Sequence, residues 1–361
     1  MTSLTTLLAP TLWGTGVALW AAAQRRHVHT LECVPARILV GGTRGKTTTV
    51  RLVTEALRLG GLTVCARTTG RRLEETLEGR AHPRRIEWRA APRVARADVD
   101  EIRRWAHAAA RRVTSDALVV ENSGVRPEAM WAVGCHLFPP TVAVITGAAS
   151  DHLDLWPHDE EQIARMHCRA VPRGVSIITA DERIAHVAAS MGFDVIAAVA
   201  PERTSEIPPW LKRLASLAVA TAAHVDRSLS DANRHALIEY AQRLLPRPRA
   251  LASGVSFLDL FDANDPQSAA AALESATLTA PHRRRVALYA HRLDRMWRLR
   301  QFQPWLESKF DVALCFDRWP DTAVTSALQE ARENTLFVGL GNAVGPAEGL
   351  LRDLSELERV V

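Results

Sequence analysis

The chain has few lysines, few cysteines and no repeated or low-complexity segment. Of its 45 basic side chains only three are lysines, Lys46, Lys212 and Lys309, so each lysine is informative by its rarity. The five cysteines stand singly and form no Cys-x-x-Cys pair. This pattern argues against a zinc ribbon, a dithiol redox motif and a disulfide framework, and it favours a reducing compartment.

Length and composition predict an ordinary folded protein. With 361 residues, 47% hydrophobic and 24% charged, the chain can form about two domains with real cores, which excludes disorder and fibrous repeats. The net charge is +5, and the segment from Arg67 to Arg112 alone carries +6. Such a cluster attracts phosphate or an acidic polymer, or it is a solvated helix face and loop. No aromatic interleaving accompanies it, so nucleic acid is not expected as a partner.

The N-terminal segment 1–30 contains twenty consecutive uncharged residues, Leu4 to Ala23, followed by Arg25 and Arg26. Twenty helical residues reach roughly 30 Å, the thickness of one hydrocarbon core. We therefore expect a single span in the inner membrane, with the rest of the chain on the cytoplasmic side. A helix buried or lying on the protein, and a cleaved secretory signal, are the alternatives.

Beyond Pro35, runs rich in Val and Ile alternate with longer helical patterns, which predicts an α/β fold on a mainly parallel sheet. The prolines within 245–249 mark a boundary between a central domain, 35–245, and a smaller α/β domain, 250–361. Strands are predicted at 36–40, 62–66, 117–120, 142–146, 175–179, 255–260, 285–289, 312–316 and 336–338. Helices are predicted at 46–59, 97–112, 160–169, 210–222 and 231–245.

The strongest functional signal is a glycine-containing loop between the first predicted strand and helix. It reads Gly42-Thr43-Arg44-Gly45-Lys46-Thr47-Thr48. Glycines let the backbone approach phosphate, the amides of a helix N-terminus point at the anion, Lys46 reaches the β and γ oxygens, and the Thr47 hydroxyl can ligate Mg²⁺. Val40 stands where the first glycine of the full Walker pattern would be. The context nevertheless predicts nucleotide binding.

Two further strand ends carry candidate metal ligands. Glu121 ends the strand Leu118-Val119-Val120, at the edge where open parallel sheets bind ligands. It is a candidate Mg²⁺ ligand, or else a carboxylate in an ion pair. His152, between Asp151 and Asp154 after the next strand, suits a metal ligand or a phosphate contact.

Taken in this order, the three segments resemble the ATP-dependent amide ligases of the Mur ligase superfamily. There, a Gly-Thr-x-Gly-Lys-Thr loop, a strand-end glutamate and an Asp-His-Leu-Asp segment surround ATP and magnesium. Within the superfamily, the sequence is similar to the poly-γ-glutamate synthetase (CapB/PgsB) family in length, in its N-terminal hydrophobic helix and in lacking a UDP-binding domain. The similarity continues through 67–70, 261–265, 292–295, 301–302 and 338–342.

The resemblance implies a Mur-ligase-like ATPase domain followed by a Rossmann-like domain. It implies that ATP phosphorylates a γ-carboxylate and that the amine of glutamate attacks the acyl phosphate. Lys46, Glu121 and His152 would be catalytic, and Thr47, Glu121 and His152 would hold Mg²⁺. Arg292, Asp294 and, more weakly, Asn264 would contact the nucleotide. Expected partners are glutamate or a poly-γ-glutamate chain and integral membrane subunits of a synthase; a homo-oligomer is left open.

The sequence also departs from the family pattern. Gly147 replaces the usual Asn, and Ser150 stands where an acid often precedes Asp-His. These changes keep open an assembly or regulatory subunit that binds nucleotide without ligation. A folylpolyglutamate- or cyanophycin-like soluble ligase is the other alternative. An arginine clamp for the glutamate carboxylates is chemically apt, and the choice stays open among Arg71, Arg72, Arg84, Arg85 and Arg89.

Overall fold

The computed structural model describes residues 4–69, 74–77, 89–90, 99–112, 115–150, 155–199, 207–251, 254–263, 265–277 and 284–357. The chain divides into two compact units, Met1–Tyr240 and Ala241–Val361. The boundary between the two units lies a few residues before the prolines of 245–249.

The first unit is built on a sheet with the strand order β4-β3-β2-β5-β1-β6-β7-β8 among the described residues. The strands from β2 to β8 in this order pair in parallel, and β3 and β4 extend the β2 edge antiparallel. The central strands are buried on both faces because they are nearly continuous runs of Val, Ile, Leu and Ala. The bounds are β1 (Ala36–Gly41), β2 (Val64–Thr68), β3 (Glu74–Leu77), β4 (Arg89–Ala90), β5 (Ala117–Glu121), β6 (Val142–Ile145), β7 (Ser176–Thr179) and β8 (Val195–Ala197).

Helices cover both faces of this sheet. Asp159 and Asp181 cap two of them, because each carboxylate accepts hydrogen bonds from amides of the first turn. The α-helices are α1 (Leu4–Glu32), α2 (Lys46–Leu59), α3 (Val99–Arg112), α4 (Pro127–Ala132), α5 (Glu160–Arg169), α6 (Glu182–Ser190), α7 (Pro209–His224) and α8 (Asp231–Arg243). Directly after α4, a π-helix spans Val133–Leu137.

The second unit has a sheet of order β12-β11-β13-β10-β9; of these described strands, only β9 is antiparallel. Its strands are β9 (Arg249–Ala250), β10 (Ser256–Asp259), β11 (Arg284–Ala290), β12 (Val312–Phe316) and β13 (Thr335–Gly341). Its helices are α9 (Pro266–Thr277), a 3-10 helix (Leu293–Arg295), α10 (Met296–Lys309), α11 (Thr322–Gln329) and α12 (Pro346–Leu357). Aromatic side chains fill its core on both faces, including Phe257, Phe261, Phe302, Phe316 and Phe337.

The expected N-terminal membrane span is wrong. Helix α1 forms over 29 residues, but among the residues that the structure describes no helix is both long and apolar enough to cross a membrane. The physical reason is composition: threonines, glycines and a proline lower the mean hydropathy of the apolar stretch, and Arg25 and Arg26 lie inside the same helix. Instead, the C-terminal part of α1 packs on the first unit, where Leu31 is fully buried.

Candidate active site

The glycines of the loop between β1 and α2 are required by their backbone geometry. Gly42 has φ 112° and Gly45 has φ 74°, a region that residues with a Cβ rarely adopt. A Cβ on Gly42 would lie 2.3 Å from Thr146 Oγ1 and 2.8 Å from Thr146 N. Gly45 is the N-cap of α2, and a Cβ there would lie 2.8 Å from Leu214 Cδ1. The chain can therefore turn sharply into α2 and leave the first amides of the helix accessible.

Lys46, the first residue of α2, curls back over this loop. Its Nζ donates hydrogen bonds to Gly42 O at 2.9 Å and to Thr43 O at 3.4 Å. Two backbone carbonyl oxygens thus accept hydrogen bonds from the ammonium group. In a nucleotide complex, phosphate oxygens would accept these hydrogen bonds instead. Lys46 is partly exposed, and so are Thr47 and Thr48 beside it. The ammonium lies in reach of a ligand at the helix N-terminus.

The candidate metal ligands Thr47 and Glu121 are in direct contact. Thr47 Oγ1 donates to Glu121 Oε2 at 3.0 Å, and the amide of Thr69 donates to the same oxygen at 2.8 Å. Glu121 is only 4% exposed. The parallel register of β1 and β5 sets this contact, since Val40 lies opposite Glu121 where both strands end. The two oxygen donors belong to the hard ligand class that Mg²⁺ selects, so these residues fit the metal.

The loop is also fastened to the chain after β6. Thr43 N donates to Gly147 O at 3.1 Å, and the Thr43 hydroxyl accepts from Ala149 N at 3.1 Å. Arg44 Nη2 donates to Ser150 O at 3.3 Å. Gly147 and Ser150, which depart from the family pattern, act here through their carbonyls, which any residue supplies. The departures therefore leave the support of the loop intact.

One residue near the site was missed by sequence reasoning. His167, on α5, is 4% exposed, and its Nε2 is buried without a hydrogen-bond partner. Burial, followed by the positive charge of Lys46, lowers the pKa of His167 to about 3, so its imidazole is neutral. Its ring packs edge-to-face on Trp156, with centroids 5.5 Å apart. No local sequence signal identifies it, because α5 reads as an ordinary amphipathic helix.

Several predicted residues lie outside the described residues. They are His152 with its flanking acids, Asn264, and four of the five candidate clamp arginines, Arg71, Arg72, Arg84 and Arg85; of Arg89 only the backbone, in β4, is described. Within the described part of the chain no cluster of three or more His, Cys, Asp or Glu side chains forms a metal site. The described part of the candidate metal site thus consists of Thr47 and Glu121.

In the second unit, Arg292 and Asp294 follow the C-terminal end of β11. Arg292 is the N-cap of the 3-10 helix, and Asp294 lies within it; the backbone of Asp294 is described and its side chain is not. The neighbouring strand ends are joined by a buried arginine, since Arg298 Nη1 donates to Asn342 Oδ1 at 2.8 Å and Asn342 Nδ2 donates to Ala290 O at 3.1 Å. This network holds the ends of β11 and β13 together beside the predicted nucleotide residues.

Two family models match the chain in the order expected from the motifs. The Mur ligase middle domain matches residues 40–196, and the poly-gamma-glutamate synthase CapB C-terminal domain matches residues 249–318. A curated relative, the capsule biosynthesis protein CapB of Bacillus anthracis, is 23% identical over 393 aligned positions, covering 92% of this chain and 79% of that protein.

Solved structures share the fold along nearly the whole chain. E. coli FolC in complex with ADP aligns with a TM-score of 0.66 at 17% identity, covering 94% of this chain and 93% of FolC. A bifunctional folylpolyglutamate synthase/dihydrofolate synthase with Mn, AMPPNP and L-glutamate bound aligns with a TM-score of 0.63 at 18% identity, covering 92% and 93%. Together with the two family models, these similarities confirm the resemblance inferred from the motifs. The chain is thus similar to Mur ligase-like proteins of the CapB type.

Proposed function

We propose that the chain is an ATP-dependent, ADP-forming amide ligase that makes γ-glutamyl bonds of the poly-γ-glutamate type through an acyl phosphate. The relatives support the reaction class: one is a capsule biosynthesis protein of the CapB type, and the fold neighbours include complexes with ADP, AMPPNP, Mn and L-glutamate. The same comparison supports ATP with a divalent metal, and glutamate as the amine substrate.

The observation that carries the proposal is the contact between Thr47 and Glu121 at the start of α2. A plain strand-to-helix turn requires neither a left-handed glycine at the N-cap nor a buried carboxylate that faces a threonine hydroxyl. Here the left-handed glycine and the buried carboxylate both lie at the first turn of α2. Lys46, the only lysine of the first 200 residues, is part of the same turn. This combination is what a nucleotide triphosphate and its metal require.

The chain's own groups then have definite tasks. The amides at the N-terminus of α2 and the Lys46 ammonium bind the phosphate oxygens and stabilise the charge that develops as the γ-phosphoryl group moves to the carboxylate. Lys46 Nζ exchanges the carbonyls of Gly42 and Thr43 for phosphate oxygens when ATP binds. Thr47 and Glu121 would hold Mg²⁺, which supplies Lewis-acid polarisation of the phosphate oxygens. His152 would complete the metal site, and Thr43, Arg44 and Thr48 would line the phosphate cradle.

The second unit carries the other residues that are proposed to contact the nucleotide. Arg292 and Asp294 would contact the nucleotide from the end of β11, with Asn264 as a weaker contributor. The Arg298–Asn342 network keeps that strand end rigid, because a buried guanidinium holds its acceptor in one orientation. Integral membrane subunits as partners stay a prediction.

The test is ligase activity of the full chain. Purified protein is incubated with ATP, Mg²⁺ and single amino acids, with or without a γ-linked oligoglutamate acceptor, and phosphate release is measured. Glutamate-dependent release of ADP and phosphate is expected, and Lys46→Ala is expected to lower it by at least about 10²-fold. Lys309→Ala, which removes an exposed lysine at the end of α10, is the matched control.

A second measurement separates the proposal from its alternatives. Hydroxylamine added to the reaction should trap the acyl phosphate as a hydroxamate of the acceptor carboxylate. ATP binding without phosphate release or hydroxamate would identify a nucleotide-binding assembly subunit, the alternative suggested by Gly147 and Ser150. Turnover with a folate acceptor, and none with oligoglutamate, would identify a folylpolyglutamate-type ligase.

A further inference from the structure

Helix α1 carries one continuous seam of side chains along its length. The residues Trp13, Val17, Trp20, Gln24, His27 and Leu31 follow one another at alternating spacings of four and three. This is the a/d repeat that keeps side chains on one face of a helix over many turns. The seam therefore presents a single stripe to whatever packs against it.

The C-terminal half of the seam is covered by the first unit. Gln24 Nε2 donates to His136 O at 2.7 Å, and His27 Nε2 lies 2.7 Å from Leu137 O. His27 is 2% exposed and its ring lies 5.8 Å from that of His107 on α3, while Leu31 is fully buried. This half of α1 is thus a docked helix, held by α3 and the π-helix.

The N-terminal half of the same seam is not covered by any of the residues that the structure describes. Trp13 is 77% exposed, Val17 50% and Trp20 67%. Each of the two tryptophans can bury roughly 150–250 Å² of surface in a contact. Exposed apolar patches larger than a few hundred Å² mark interaction sites. Because the covered half of the stripe packs on helices, the partner that continues it is expected to be a helix.

The spacing of the large side chains along the seam is nearly symmetric about Val17. One indole lies three positions after Val17, at Trp20, and another lies four positions before it, at Trp13. Two copies of α1 that cross antiparallel would place Val17 near Val17 of the partner copy, and each Trp13 opposite a Trp20. An isologous interface requires this self-complementarity. No charge lies between Leu4 and Gln24 to oppose the approach, and Gly14 and Gly16 flank the seam.

We propose that the exposed seam of α1 is a homodimer interface, in which the occupant is α1 of a second copy of this chain, packed antiparallel about Val17. The pairing joins two copies through a helix that the candidate active site does not use. It is independent of the proposed ligase activity and can fail or succeed separately from it.

The first experiment measures the mass of the full chain by sedimentation velocity. The wild-type protein should sediment as a dimer, and Trp13→Ala and Trp20→Ala should each raise the dimer dissociation constant by at least about 30-fold, as expected for buried aromatic anchors. Leu19→Ala removes an equally exposed apolar residue, 67% exposed, that lies off the seam, and should leave the dimer unchanged. Circular dichroism checks that each variant is folded.

The second experiment tests the geometry. In a Cys33→Ser, Cys315→Ser background, which removes the two exposed cysteines, Val17→Cys should form an intermolecular disulfide on mild oxidation and Leu19→Cys should not. Spin labels on Ala23→Cys should lie about 20 Å apart, from 1.5 Å of rise per residue. A monomer, a dimer insensitive to both tryptophan substitutions, or a spin-label distance of about 10 Å, which indicates parallel helices, would each overturn the proposal.

Discussion

Thr47 and Glu121 are joined by a hydrogen bond of 3.0 Å between Oγ1 and Oε2, although 74 positions separate them in the chain. The bond connects the first turn of α2 to the end of β5. Because the same carboxylate oxygen also accepts from Thr69 N, Glu121 is oriented before any ligand arrives. Preorganised oxygen donors of this kind lose little entropy when they bind a cation.

We predict that Glu121→Gln weakens binding of the magnesium–nucleotide complex. The amide keeps the size of the side chain but removes the negative charge, so affinity for ADP with Mg²⁺ should fall at least about 10-fold. Affinity for ADP in EDTA should stay unchanged, since no metal is then involved. Isothermal titration calorimetry measures both, and Thr47→Ser, which keeps the hydroxyl, is the control. An equal loss in EDTA would place Glu121 outside the metal site.

The two glycines Gly41 and Gly42 should respond oppositely to alanine. Gly42→Ala forces a Cβ to within 2.3 Å of Thr146 Oγ1 at φ 112°, and should lower the free energy of unfolding by about 2–4 kcal/mol. A Cβ on Gly41 meets no atom within 4 Å, so Gly41→Ala should be neutral or stabilising by up to about 1 kcal/mol. Chemical denaturation of the two variants side by side measures the difference.

Stability should decrease as the pH falls, because of His167. Its pKa is lowered to about 3 in the folded chain, by burial and then by Lys46, so between the unfolded value near 6.5 and about 3 the unfolded chain binds the extra proton. The loss begins below about pH 6.5 and reaches at most about 1.4 kcal/mol per pH unit. His167→Gln should flatten the free energy of unfolding in this window. His158→Gln, at an exposed histidine, is the control, and an unchanged slope in His167→Gln would contradict the prediction.

Arg67 and Glu101 form a buried ion pair at 2.5 Å, with Arg67 fully buried and Glu101 6% exposed. Removing Glu101 takes this attraction away from a guanidinium that stays buried, so Glu101→Leu should destabilise the first unit by about 3–5 kcal/mol. The double variant Arg67→Met, Glu101→Leu should recover most of this loss, because neither charge then remains. A double-mutant cycle in urea gives the coupling, and additive single effects would argue against it.

Secondary structure was predicted best where hydrophobic periodicity and local signals agree. The predicted helices at 46–59 and 160–169 have the bounds of α2 and α5, because glycine and aspartate mark their first residues. The antiparallel strands β3 and β4 were not predicted, since their short polar segments gain stability from pairing with β2 and with each other. The π-helix was not predicted either, and Gly134 within it approaches Ala170 O too closely for any Cβ.

The residues of the candidate site also fall into those that the sequence could predict and those that it could not. The loop residues from Gly42 to Thr48 could be read from the chain, because a glycine turn into a helix is a local feature. Glu121 could be placed at the same sheet edge, since parallel strands end together. His167 and Arg67 could not be found, because their burial comes from contacts with distant elements.

The order of residues by itself determined the α/β alternation, the phosphate loop and the resemblance to the Mur ligases, since all three depend on neighbours within a few positions. Only the tertiary structure decided that Glu121 faces Thr47, that His167 is buried and neutral, and that half of the seam on α1 stays exposed. Those outcomes depend on strand register and on helix packing. They are set by the free energy of the whole fold, which no local pattern contains.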